Sequence, residues 1–260
     1  MRYRPKQELS YILIGATALA ALTFLLPPAH IPEAQPTARI VAYALFLIPV
    51  ASSLHGFLFA ARGYATPRLL ALGAAAAAIG VLFALLARPE DLETNSGFLL
   101  LLALSLANIF RVLAAATLGV VLARYVSSVG VVVLIVAVAI ASDLVSVFAG
   151  PTRTLIKEDS PALDVLLLVF PTFGSVLGFG LGVSDLIFLA LFAAASQFLN
   201  LRYFATLLCV CSGVFLALSA GLLLGSPLPA LPFIAIAFVL ANADLILASL
   251  TKGRRSYPGT

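Results

Sequence analysis

The chain has 260 residues, of which 62% are hydrophobic and only 10% charged, with a mean hydropathy of +1.14. A soluble domain is about half apolar and about a quarter charged, so this composition excludes a water-soluble enzyme and a disordered tail, and two cysteines are too few to staple a small secreted module. The net charge of +4, from 15 Lys and Arg against 11 Asp and Glu, comes from basic residues scattered at the ends of apolar runs, which argues against a nucleic-acid partner and for a polytopic protein in a lipid bilayer.

A hydrocarbon core about 30 Å thick takes about 20 apolar residues as helix. Eight such stretches are predicted, over residues 9–26, 39–61, 68–87, 97–123, 125–149, 182–199, 203–225 and 232–250. Pro27-Pro28, Pro67, Pro89 and Pro151 punctuate their ends, because proline cannot continue the hydrogen-bond ladder of a helix. The first stretch follows Arg2, Arg4 and Lys6 and reads as an uncleaved anchor, since Pro27-Pro28-Ala29-His30 is a poor small-residue cleavage site. The fourth is long and carries Arg111 near its middle; it is one tilted helix or two shorter ones, which makes the total eight or nine. The sequence divides into a scaffold over 1–123 and a functional region over 124–260. Cys209 and Cys211, two apart inside the seventh stretch, do not face one another on a helix and read as lipid- or core-facing.

Charge sets the orientation. With the N-terminus inside, ten basic residues (Arg2, Arg4, Lys6, Arg62, Arg68, Arg124, Arg202, Lys252, Arg254 and Arg255) fall on the inner side. Four (Arg39, Arg88, Arg153 and Lys157) fall outside, with the acidic Glu90, Asp91 and Glu93. Both termini are therefore expected in the cytoplasm. Short loops without an Asn-x-Ser/Thr sequon fit a prokaryotic plasma membrane.

An ionisable group inside a span is costly and marks function until shown otherwise. Arg111, Asp143, Asp185, Asp244 and, more weakly, His55 qualify. His55 lies in a polar patch with Ser52 and Ser53 that suits a bond to a neighbouring helix. Asn108 and Arg111, three apart, share a helix face and read as a structural network, with Asp244 and Asn242 as candidate partners. Asp143 and Asp185 differ. Asp143 lies eight residues before Pro151, about 12 Å below the exit of its helix, and Asp185 opens the next span from the same side. Antiparallel helices would bring both to one depth. Two carboxylates close together there share one proton, because like charge and lost hydration both penalise ionising the second. The ionised member can then take a proton from water while the protonated one polarises a carbonyl. Buried carboxylates of this kind also serve as proton relays in transporters, and the acids by themselves do not separate the two.

Their surroundings add a resemblance. Asp143 stands in Ala-Ser-Asp-Leu-Val-Ser-Val-Phe-Ala-Gly-Pro-Thr-Arg-Thr-Leu-Ile-Lys-Glu (141–158), which is similar to the presenilin segment carrying the first catalytic aspartate. Asp185 ends Gly180-Leu181-Gly182-Val183-Ser184-Asp185, which resembles the GxGD motif of presenilins and signal peptide peptidases; its second glycine is replaced by Ser184, or Gly180 and Gly182 are the pair with two residues inserted. Pro229-Ala230-Leu231-Pro232 matches the PAL motif before the last span. The three occur in the family's order over residues 129–252. The resemblance implies an all-α GxGD-type intramembrane aspartyl protease that uses Asp143 and Asp185 as its dyad, without metal or organic cofactor. Gly180, Gly182, Ser184, Pro229, Ala230 and Leu231 would shape the site and meet substrate. Its partners would be transmembrane peptide or protein segments within the bilayer; oligomeric state is left open. A proton-coupled transporter and a non-catalytic, presenilin-like helix-binding protein are the rival expectations.

Between the two aspartates, residues 164–171 are apolar, partly β-branched and too short to span, and Pro171 stops them. A strand is predicted there, then a turn at Thr172-Phe173-Gly174 and a second extended piece into Gly178-Phe179-Gly180; a re-entrant connector is the alternative. The family resemblance implies that such a hairpin can take up substrate as an added strand. The glycines at 178, 180 and 182 disfavour regular helix before Asp185, and the prolines of 229–232 leave an irregular approach to the last span.

Overall fold

The structure, a computed structural model, describes residues 5–28, 36–87, 97–148, 165–226 and 228–255. It holds eight helices and one hairpin among them: α1 (Pro5–Leu25), α2 (Pro36–Ala61), α3 (Thr66–Leu86), α4 (Phe98–Arg124), α5 (Val129–Phe148), β1 (Leu167–Thr172), β2 (Ser175–Gly182), α6 (Val183–Phe198), α7 (Tyr203–Leu224) and α8 (Leu231–Arg255). The protein is an all-α polytopic membrane protein, with seven helices long and apolar enough to cross a bilayer. The basic and acidic residues expected near 88–93 and 153–157 lie outside the described residues.

The sixth stretch departs from expectation. It forms a helix of only 16 residues, about 24 Å long, and β2 carries the chain up to its start. The physical reason is its place: α6 packs against α4, α7, α8 and β2, and every residue from Leu189 to Ser196 is buried. A helix enclosed by protein need not match the thickness of lipid. The fourth stretch does not split: α4 is one helix of 27 residues, longer than the hydrocarbon core and so suited to tilt.

Lipid tails are as apolar as leucine, so helices in a bilayer associate by close packing rather than by escape from water. Small residues provide it. A Cβ on Gly119 of α4 would sit 2.6 Å from Ile187 O and 2.8 Å from Leu191 N of α6, so the two backbones touch there. One cluster of buried side chains runs from Leu19 through Phe46, Val120, Phe192 and Phe238 to Ile246.

One end of the bundle gathers arginines. The Arg124 guanidinium donates to Ala61 O, Tyr64 O and Thr66 Oγ1 at 2.8–2.9 Å, closing the α2–α3 turn. Arg62 donates to Gln197 Oε1 at 2.7 Å. Arg202 pairs with Asp244 at 2.6 Å, both side chains more than half exposed. This corrects the expected network: Asp244 belongs to this exposed end and not to Arg111, while Asn242 donates to Thr206 Oγ1 and accepts from the Arg202 amide. His55 does bond a neighbouring helix, its Nδ1 lying 2.8 Å from the Tyr203 hydroxyl.

The hairpin lies at the opposite end. β1 and β2 pair antiparallel, Leu168 opposite Leu181 and Phe170 opposite Phe179. Gly174, at φ 81°, supplies the left-handed turn residue, and its amide donates to Leu26 O at the end of α1. Phe170 and Phe179 pack against each other and against Phe46, in tilted and edge-on pairs, which seats one face of the hairpin in the core.

Candidate active site

The outer edge of β1 is occupied. Asn108 Nδ2 donates to Val169 O at 2.6 Å and Arg111 Nη1 to Leu167 O at 2.8 Å. A charged side chain in a span is thus engaged by strand carbonyls that have no strand partner among the described residues. The i, i+3 spacing on α4 marked the shared face; nothing in the sequence marked the carbonyls it would meet.

This contact fixes the orientation of β2. Leu167 and Val169 turn their carbonyls toward α4, so they are the non-hydrogen-bonded positions of the ladder, and so are their partners Gly182 and Gly180. The backbone groups of those glycines therefore point away from β1. No third strand pairs with that edge among the described residues, and Gly180 is exposed.

Gly182 is also the residue that caps α6. Asp185, in the first helical turn, reaches back and accepts from the Gly182 backbone, as the acidic member of a capping box does. A Cβ at Gly182 would lie 2.9 Å from Asp185 Oδ2, so only glycine leaves room for the carboxylate. Ser184 is exposed and does not take that place.

Asp143 sits near the end of α5, which packs chiefly against α8. Its Oδ2 accepts from the Leu231 amide at 2.9 Å. The first amides of a helix have no partner within it, and Pro232 next along has no amide to offer, so Asp143 serves one of the few free donors at the start of α8. Pro229, Ala230 and Leu231 are buried. Asp185, with Gly180, Leu181, Ala217, Leu218, Gly221, Ser226, Leu228 and Ala230, lines a cavity of about 220 Å³. The two carboxylates lie within electrostatic reach of one another; Asp185 shares the cavity with Ala230, and Asp143 holds the amide of the next residue, Leu231.

The sequence-derived set of Asp143, Asp185, Gly180, Gly182, Ala230 and Leu231 is therefore brought to one end of the bundle, with Pro229 behind it and Ser184 turned outward. Ala217, Leu218, Gly221, Ser226 and Leu228 complete the cavity, and no sequence signal singled them out. Cys209 and Cys211 are free thiols on α7, part-buried and away from the cavity lining. Among the described residues no three His, Cys, Asp or Glu side chains gather as a metal site. No family model, no curated protein and no solved structure matches the chain.

Proposed function

We propose that the chain is an intramembrane aspartyl protease that hydrolyses peptide bonds of transmembrane segments with water activated between Asp143 and Asp185. The observation that carries this reading is that Asp185 lines a cavity with Asp143 within its electrostatic reach, beside a strand edge left unpaired among the described residues. A helix hides its scissile amides, so a substrate helix must unwind, and its freed backbone groups need partners in an apolar medium. The outward groups of Gly180 offer them, as in strand addition to an open sheet edge, while those of Gly182 are engaged by Asp185 and the first turn of α6. With the extended segment lying on β2, one carboxylate takes a proton from water and the other hydrogen-bonds the scissile carbonyl. The hydroxide adds to the carbonyl carbon, the C–N bond breaks, and the amine leaves with a proton from the dyad. Asp185→Ala is expected to remove cleavage of a membrane-embedded substrate while the protein stays folded, as judged by product analysis beside size-exclusion chromatography. Cleavage at the wild-type rate would overturn the mechanism.

One observation favours a second reading. Each aspartate already serves a helix start, Asp143 at α8 and Asp185 at α6. A non-catalytic helix-binding protein would need them for that alone, and it predicts substrate capture without products.

The protein is further proposed to lie in a prokaryotic plasma membrane with both termini cytoplasmic. The end that gathers Arg62, Arg124 and Arg202 would be the inner face. A cysteine placed at Tyr64, beside that cluster, is expected to resist a membrane-impermeant thiol reagent in intact cells and to react once they are opened. Labelling of intact cells would reverse the orientation.

A further inference from the structure

The three glycines of β2 are glycine for different reasons. A Cβ at Gly178 would lie 2.6 Å from the Thr172 backbone nitrogen, so the hairpin's own packing forbids it. At Gly182 it would strike the Asp185 carboxylate. At Gly180 it would meet Leu167 Cδ1 at 3.2 Å, the end of a flexible side chain that can yield. Packing does not require glycine at 180, yet this residue is exposed and borders the cavity beside Asp185. Across the cavity α7 presents Ala217 and the approach to α8 presents Ala230. Three of the walls are thus nearly without side chains.

Successive residues of a strand face opposite ways. The missing Cβ of Gly182 points at Asp185, so the missing Cβ of Gly180 projects on the same side. A peptide added to the outer edge of β2 would place the residue opposite Gly180 on that side too, toward Asp185 and the cavity. The space, about 220 Å³, exceeds the roughly 150 Å³ that suffices for benzene in an apolar cavity.

We infer that this cavity is a substrate side-chain pocket that selects a large apolar residue, aromatic or branched, next to the scissile bond, with Ala217 setting its depth and Gly180 its mouth. The inference rests on the protease reading. It defines the substrate class more narrowly, as transmembrane segments that carry such a residue where they unwind.

The test uses the full chain in detergent and a model transmembrane peptide bearing Ala, Leu or Phe in turn at successive positions around the cleavage site, with products mapped by mass spectrometry. At one position the wild type is expected to favour Phe or Leu over Ala by about tenfold or more in kcat/KM. In Ala217→Phe the ratio is expected to collapse or invert at that position and nowhere else. Gly180→Val narrows the pocket from the opposite wall and is expected to act in the same direction, which covers the case of one variant failing to fold. A folded variant with the wild-type profile at every position would overturn the pocket and leave the protease reading standing. Equal cleavage by wild type and Asp185→Ala, or none by wild type, would instead remove the reading and the pocket together.

Discussion

Asp143→Asn is expected to leave the protein folded and to lower cleavage by about 10³-fold or more. The amide side chain keeps an oxygen that accepts from the Leu231 amide, so the 2.9 Å contact that starts α8 survives. What it loses is the ability to exchange a proton with water or with the leaving amine, a contribution of about 10²–10⁴ in rate for one positioned group. Asp143→Ala removes both roles. It is expected to cost a further ~1 kcal/mol of stability, the usual loss when a helix-start acceptor is deleted, and to lower the thermal midpoint of the purified protein. Comparing the two variants separates cap from catalyst: wild-type turnover by Asp143→Asn would reduce this aspartate to a cap, and equal midpoints for both would remove the cap.

Arg111→Leu is expected to release the hairpin. The guanidinium, 5% exposed, donates to Leu167 O where water is scarce. A hydrogen bond to a charged group contributes about 1.5–3 kcal/mol, and the orphaned carbonyl adds a desolvation cost of its own. Asn108 still holds Val169, so the strand should loosen first at Leu167 and its partner Gly182, the residue that shapes the Asp185 carboxylate. Hydrogen exchange over residues 167–182 is expected to rise by at least tenfold, with cleavage falling in parallel and the α8 start unaffected. Unchanged exchange in that window would mean that β1 is held by packing and not by this donor.

Much of the architecture was legible in the sequence because bilayers impose a length and a polarity that few other environments do. The eight apolar stretches and the hairpin turn at Phe173-Gly174 follow from local chemistry, whereas Pro171, expected to stop the first strand, lies inside β1, and Pro89 and Pro151 lie outside the described residues. The shortness of α6 was not legible, since an apolar residue facing protein looks the same as one facing lipid. The destination of Arg111 was hidden for another reason: its partner is a backbone carbonyl, which no residue type announces. Asp244 was misplaced because hydropathy does not show where a helix surfaces, and α8 runs on to Arg255. At the candidate site, the two aspartates and the 229–231 segment stood out as polar or rigid residues amid hydrocarbon-like neighbours. Ala217 and Leu218 did not, because their contribution is the room beside them.

The outward edge of β2 carries one more consequence. Backbone groups left bare in hydrocarbon are penalised heavily, and among the described residues the edge at Gly180 has no strand beside it. On the protease reading proposed above, those groups are solvated between turnovers, and the site at rest is a small wet recess. The arriving peptide then exchanges places with part of that moisture. On that same reading hydrolysis would need no separate conduit opened at the moment of reaction, because its second reactant would already be in place.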